Sequence, residues 1–181
     1  MIGFRQCDAR CPLLWEGTAQ PEGRWHAAGD GPAHYFADTP DGAWAELVRH
    51  EEIRDPADLA TIRRAIWVVD LGDTPAITPS LPPETMSGGD RATIAACQEE
   101  ARRLRGEGHR RLQVPSAALL PGGANGQRVD GEAAPASTPA PARDGMTIVL
   151  FGEAADLKLI GWPAAVEASP PPDLLKRIRH Y

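Results

Sequence analysis

Between Gly23 and His50 the chain reads GRWHAAGDGPAHYFADTPDGAWAELVRH, a strand-then-helix unit punctuated by glycines that gathers Arg24, Tyr35, Glu46 and two tryptophans. Arg24 stands between Gly23 and Trp25. A planar guanidinium beside an aromatic ring suits bidentate recognition of phosphate, and equally suits a surface arginine lying over the indole. Tyr35 offers a flat face for stacking and a hydroxyl for hydrogen bonding; the same body and tip suit a half-buried core tyrosine. Glu46 is either a solvated helix charge or a carboxylate at a cleft edge. In the second role it hydrogen-bonds ribose hydroxyls and stabilises positive charge developing at a sugar carbon. Together these side chains describe a place to hold a flat, anionic small molecule.

Two residues outside the stretch join them. Arg5 falls within a strand-like run, where an inward arginine needs an anionic partner and an outward one needs none. Ser116 follows Pro115 at a strand end, as a turn serine or as a hydroxyl offered to a ligand. No G-x-S-x-G surrounds it, which argues against a serine hydrolase. His26, His34, His50 and His109 read as scattered polar residues rather than an acid–base set. Neither a G-x-x-x-x-G-K-[ST] loop nor a G-x-G-x-x-G strand-to-helix turn is present.

The elements that must position these groups follow from local pattern. Ile2–Cys7 reads as a short strand, and Ala33–Ala37 as another that alternates Ala33, Tyr35 and Ala37 against His34 and Phe36. The helix after it is capped by Thr39, with Pro40 at its first position and Asp41 at its positive end. Ala43, Trp44, Leu47 and Val48 form its apolar stripe, and Glu46 lies on the flank of that stripe. Asp55, Pro56 and Asp58 open a short helix with Leu59 and Ile62 inward, and Ala65–Leu71 is the best strand in the sequence. Residues 72–89 read as a long connection. A longer helix from about Asp90 to Gly106 keeps Ile94, Cys97, Ala101 and Leu104 at helical spacing. Leu112–Val114 and Met146–Phe151 are strands, Trp15 sits buried in the loop before Glu22, and Asp173–Tyr181 forms a closing helix with Leu174, Leu175 and Ile178 inward. The Pro/Ala/Gly-rich run at about 121–145 buries too little surface to offset its ordering entropy and reads as a mobile insertion. Strands and helices mix without strict alternation, so the fold class is α+β.

The 181 residues, 42% of them hydrophobic, suit one domain with one core. A net charge of −6 argues against nucleic acid as a direct partner. No apolar run approaches the ~20 residues of a membrane helix, and no secretory signal opens the chain. The sparse cysteines Cys7, Cys11 and Cys97 suit reduced thiols and a cytoplasmic location. Cys7 and Cys11 could begin a zinc site, but no second closely spaced Cys or His pair completes it, so no metal is expected.

The order of these motifs resembles the RES-domain family, named for its Arg, Glu and Ser. The matches are Arg5, the Gly23–His26 run, Tyr35, Ala43 with Glu46, and Val114-Pro115-Ser116-Ala117. The helix ahead of the serine, Gly122-Gly123-Ala124-Asn125 and Ile148–Phe151 look like further family blocks, the last two pushed apart by the insertion from about Gly126 to Gly145. The resemblance implies an ADP-ribosyltransferase-like fold of small split sheets with flanking helices and an NAD cleft. It implies a toxin that breaks the nicotinamide–ribose bond of NAD, with water or phosphate as acceptor, as a glycohydrolase or phosphorylase. A mono-ADP-ribosyltransferase acting on a specific protein, and an inactive NAD-binding or interaction domain, are the other readings. The implied partner is a small helical antitoxin related to Xre-type DNA-binding proteins. The implied roles give Arg5 and Arg24 to pyrophosphate or incoming phosphate, Tyr35 to nicotinamide, Glu46 to the ribose and its transition state, and Ser116 to a ribose or phosphate group.

Overall fold

The computed structural model describes residues 1–14, 16, 20–129 and 138–180; Trp15 lies outside the described residues. Among the described residues, six strands form one antiparallel sheet. They are β1 (Ile2–Cys7), β2 (Ala33–Ala37), β3 (Arg64–Asp70), β4 (Arg111–Pro115), β5 (Met146–Phe151) and β6 (Ile160–Ala168), in the order β4-β5-β2-β1-β3-β6. The two central strands barely touch: β1 and β2 meet at one pair, Phe4 with Ala37. By contrast β1 pairs with β3 along its whole length, as β2 does with β5. The sheet is therefore two three-stranded halves hinged at Phe4–Ala37 and splayed beyond it, the split arrangement expected of this α+β chain.

Helix α1 (Pro40–His50) lies against both central strands, on the face of the split. Its start is as the sequence dictates: Thr39 is extended, its hydroxyl accepts from Gly42 N, and Pro40 and Asp41 occupy the first turn. Trp44, Leu47 and Val48 face a core shared with Leu59 of α2 (Pro56–Thr61), Ile66, Leu119, Leu174 and Ile178. Helix α4 (Arg91–Gly106), capped by Asp90, covers the other half with Cys97, Ala101 and Leu104 against Trp25, Leu112, Val149 and Phe151. A third cluster, Phe36, Val69, Leu71, Ile148 and Leu150, fills the opposite sheet face. The alternation of side chains along each strand allots these residues to the two faces.

Two expectations need correction, and two regions carry pairing that the pattern did not announce. The 72–89 connection contains a short helix, α3 (Pro83–Ser87), whose buried Met86 plugs the α4 core. The closing helix is not formed: the tail makes a 3-10 turn at Leu174–Lys176 and then pairs with the 118–120 segment, where Leu120 N donates to the Arg177 carbonyl and Arg179 N to the Ala118 carbonyl. Leu174 and Ile178 are nonetheless buried, whereas Leu175 is only partly so. The described arms of the insertion carry bridges between Ala124 and Arg143 and between Gln127 and Pro139; residues 130–137 lie outside the described residues. Finally, β6 follows the short helix α5 (Ala154–Leu157) and adds an edge strand that the pattern did not announce. Its Gly161 and Pro163 hide the strand signal, and an edge is where a sheet tolerates proline.

Candidate active site in the split of the sheet

The cores under α1 and α4 occupy the same sheet face without merging, and the space between them is open. It is a cavity of about 560 Å³ whose lining includes Gln6, Arg24, Tyr35, Glu46, Arg49, Arg64 and Gln98. Its size falls within the usual range for small-molecule sites, roughly 300–1,000 Å³. A narrower crevice of 170 Å³ runs through the split itself, between Phe4–Gln6 and Tyr35–Ala37, and a third recess of 50 Å³ reaches Val114 and Pro115. Tyr35 and Glu46 border all three spaces.

Arg24 rides on a tight turn closed by reciprocal backbone hydrogen bonds between Gly23 and His26. Only glycine fits at the start of that turn: a Cβ at Gly23 would sit 2.8 Å from the Tyr35 hydroxyl and 2.9 Å from His26 Cε1. The Tyr35 hydroxyl accepts from Trp25 N at 3.0 Å and meets His26 Nδ1 at 2.9 Å. His26 Nε2 faces the Pro21 carbonyl at 2.9 Å, which can only accept. The imidazole must therefore carry its proton on Nε2 and receive the Tyr35 proton on Nδ1. Burial supports this neutral form, pushing the His26 pKa down and that of Tyr35 up. Gln98 of α4 completes the clamp by donating to the Gly23 and His26 carbonyls. The turn is thus held at three points, and Arg24 Nη1 is buried with no hydrogen-bond partner among the described residues.

Glu46 reaches the cavity from the flank of α1, as its helical position requires. Burial raises its pKa, opposed by the charges of Arg49 and Arg24 and by a long hydrogen bond from Thr147 Oγ1 at 3.5 Å. Arg49, one helical turn on, is buried and ties α1 to the opposite wall by donating to the Ala117 carbonyl. The site is a partly desolvated carboxylate between arginines, beside a tyrosine ring whose hydroxyl is already engaged.

The remaining expected residues take different positions. Arg5 borders the crevice but not the main cavity. Its Nη1 donates to the Tyr35 carbonyl at 3.2 Å, in the gap where the β1–β2 ladder has opened, and its guanidinium lies 5.8 Å from the Phe36 ring on the far face. Burial lowers its pKa. Ser116 borders none of the three spaces. Its Oγ accepts from Ala118 N and Leu119 N, so it shapes the turn that places Ala117 in the cavity wall. Sequence reasoning missed Gln6, Arg49, Arg64 and Gln98. Gln98 had one signal, lying one turn after Ile94 on the inward side of α4. Among the described residues no group of three or more His, Cys, Asp or Glu could hold a metal ion, and no helix is long and apolar enough to cross a membrane.

No curated protein matches the sequence. Among solved structures, a chain of the M. tuberculosis MbcT–MbcA toxin–antitoxin complex is similar at 15% identity, covering 97% of this chain and 86% of that one with a TM-score of 0.55. At that identity the likeness is one of fold. The RES domain profile matches residues 5–151, from β1 through β5 and across every element that borders the cavity. On that match the chain belongs to the RES domain family.

Proposed function

We propose that this protein is an NAD-consuming toxin that breaks the nicotinamide–ribose bond, passing the ADP-ribosyl group to water or phosphate. The observation that carries the reading is the meeting of Arg24, Tyr35 and Glu46, from a turn, a strand and a helix, around one cavity. Those groups fit NAD by type. The unpartnered Arg24 Nη1 suits a pyrophosphate oxygen, and the Tyr35 ring face suits the flat pyridinium. Glu46 suits the ribose.

In the reaction the glycosidic electron pair leaves with the nicotinamide nitrogen, which becomes neutral. Positive charge then develops at the ribose carbon. The ionised Glu46 carboxylate stabilises that charge, and its second oxygen accepts from a ribose hydroxyl. Water or phosphate closes the new bond from the open face, and water releases its proton. A useful rate needs on the order of 8 kcal/mol of barrier reduction, of which one well-placed charge contributes roughly 3–4 kcal/mol. NAD is substrate in this scheme. Arg5 contributes through the crevice by fixing the Tyr35 backbone, and Ser116 by fixing Ala117.

The partner in this reading is a small helical antitoxin of Xre type that covers the cavity mouth. It is supported by the likeness in fold to a toxin held in a toxin–antitoxin complex. Incubation with adenylate-labelled NAD tests the function. Free nicotinamide with labelled ADP-ribose, or its 1″-phosphate, is the expected result. Label carried on a protein points instead to a mono-ADP-ribosyltransferase, and NAD bound but unconsumed points to an inactive domain.

A further inference from the structure

Extending the Phe4–Ala37 pair by two residues along each strand sets Gln6 opposite Tyr35, on the same face of the sheet. Arg5, its neighbour, turns to the other face over Phe36. Gln6 borders both the main cavity and the crevice. Its Oε1 is buried without a partner, and no hydrogen bond from the described residues reaches its Nε2. A buried amide oxygen left without a donor is costly to keep, and the amide nitrogen beside it is left open to a ligand. Its position in a cavity wall, beside an aromatic face, identifies what would satisfy it.

A glutamine amide presents one acceptor and one donor group side by side in a plane, and a half-turn about its last torsion exchanges them. The complementary partner is a second planar group with both a donor and an acceptor, which is a carboxamide. A carboxylate offers acceptors only and can pair with one end. We propose that Gln6 reads the carboxamide of a pyridine ring lying on Tyr35, and so selects nicotinamide dinucleotide over its nicotinic acid analogue. The arginines around the cavity make such a reader necessary, because Arg24, Arg49 and Arg64 would otherwise favour the extra negative charge of the acid. The inference rests on the NAD reading and adds to it the residue that sets specificity.

The test compares kcat/KM for NAD and for nicotinic acid adenine dinucleotide in wild-type, Gln6→Leu and Gln6→Glu proteins, with ADP-ribose affinity as a control because it lacks the pyridine ring. Wild type should prefer NAD. Gln6→Leu should lower kcat/KM for NAD by about 10²-fold and shift the preference toward the acid, since the polar pairing is gone and the arginine charge remains. Gln6→Glu keeps the shape and should widen the preference, because a carboxylate accepts from the carboxamide NH₂ but repels nicotinate. ADP-ribose should bind all three alike. Wild-type turnover of NAD with an unchanged ratio in both variants overturns the role of Gln6 and leaves the NAD reading standing. A wild-type protein that leaves both dinucleotides intact overturns both.

Discussion

Glu46 is where burial and chemistry oppose one another. Its carboxyl is desolvated, which favours the neutral acid, while Arg49 and Arg24 favour the charged form that the proposed reaction needs. Activity should therefore fall on the acid side at a pH above the ordinary carboxylate range, and a pH–rate profile checks it. The stability consequence has the opposite sign. A raised folded-state pKa contributes stability below the unfolded value that is lost as pH rises through the folded one. Glu46→Gln should thus raise the thermal midpoint at pH 7, by about 2–4 °C for each kcal/mol relieved, while lowering kcat by roughly 10²–10³. Tyr35→Phe should instead lower stability. It leaves the Trp25 N–H and His26 Nδ1 without their partner, costing about 1–3 kcal/mol in denaturant unfolding. At this scale the sequence announced Glu46, because a cap and a stripe fix where a helix flank points. It could not announce Gln6 or Arg49: a polar strand residue and a last-turn arginine look the same whether they face solvent or a cleft.

The element that governs the site is the Gly23–His26 turn rather than any regular strand or helix. Gly23→Ala should displace it, because the added methyl would stand 2.8 Å from the Tyr35 hydroxyl. The expected outcome is a loss of NAD turnover greater than the loss of stability, read by comparing kcat/KM with the urea midpoint. The tail acts differently. Arg177 bonds Asp41 at the start of α1 and the Gly123 carbonyl, while Leu174 is fully buried beneath the helix. Leu174→Ala should cost about 2–5 kcal/mol in unfolding experiments with little change in substrate affinity. These elements differ in how far local pattern revealed them. Periodicity and caps marked β1, β2, α1 and α4 well. The tail and β6 escaped, since a docked 3-10 turn has no helical period and Gly161 and Pro163 interrupt the strand pattern.

On the scale of the whole molecule, the proposed function depends on a sheet that does not close. On one face each half has its own core and the cavity occupies the interval, while on the other Phe36, Ile148 and Leu150 pack with Val69 and Leu71 across the Phe4–Ala37 junction. In the proposed function a dinucleotide lodged there would bridge the halves and bind only the folded protein. In Glu46→Gln, which should bind NAD without consuming it, NAD at 100 times its Kd should stabilise the fold by about 2.7 kcal/mol. No periodicity could show this opening, because the number of ladder pairs between two strands is a tertiary property; only the order of the motifs hinted at it. The most direct measurement is a crystal structure of Glu46→Gln soaked with NAD. The account predicts the nicotinamide ring against Tyr35, its ribose at position 46 and the pyrophosphate at Arg24. Dinucleotide seated elsewhere, or Arg24 and the ribose on opposite sides of the sheet, would contradict it.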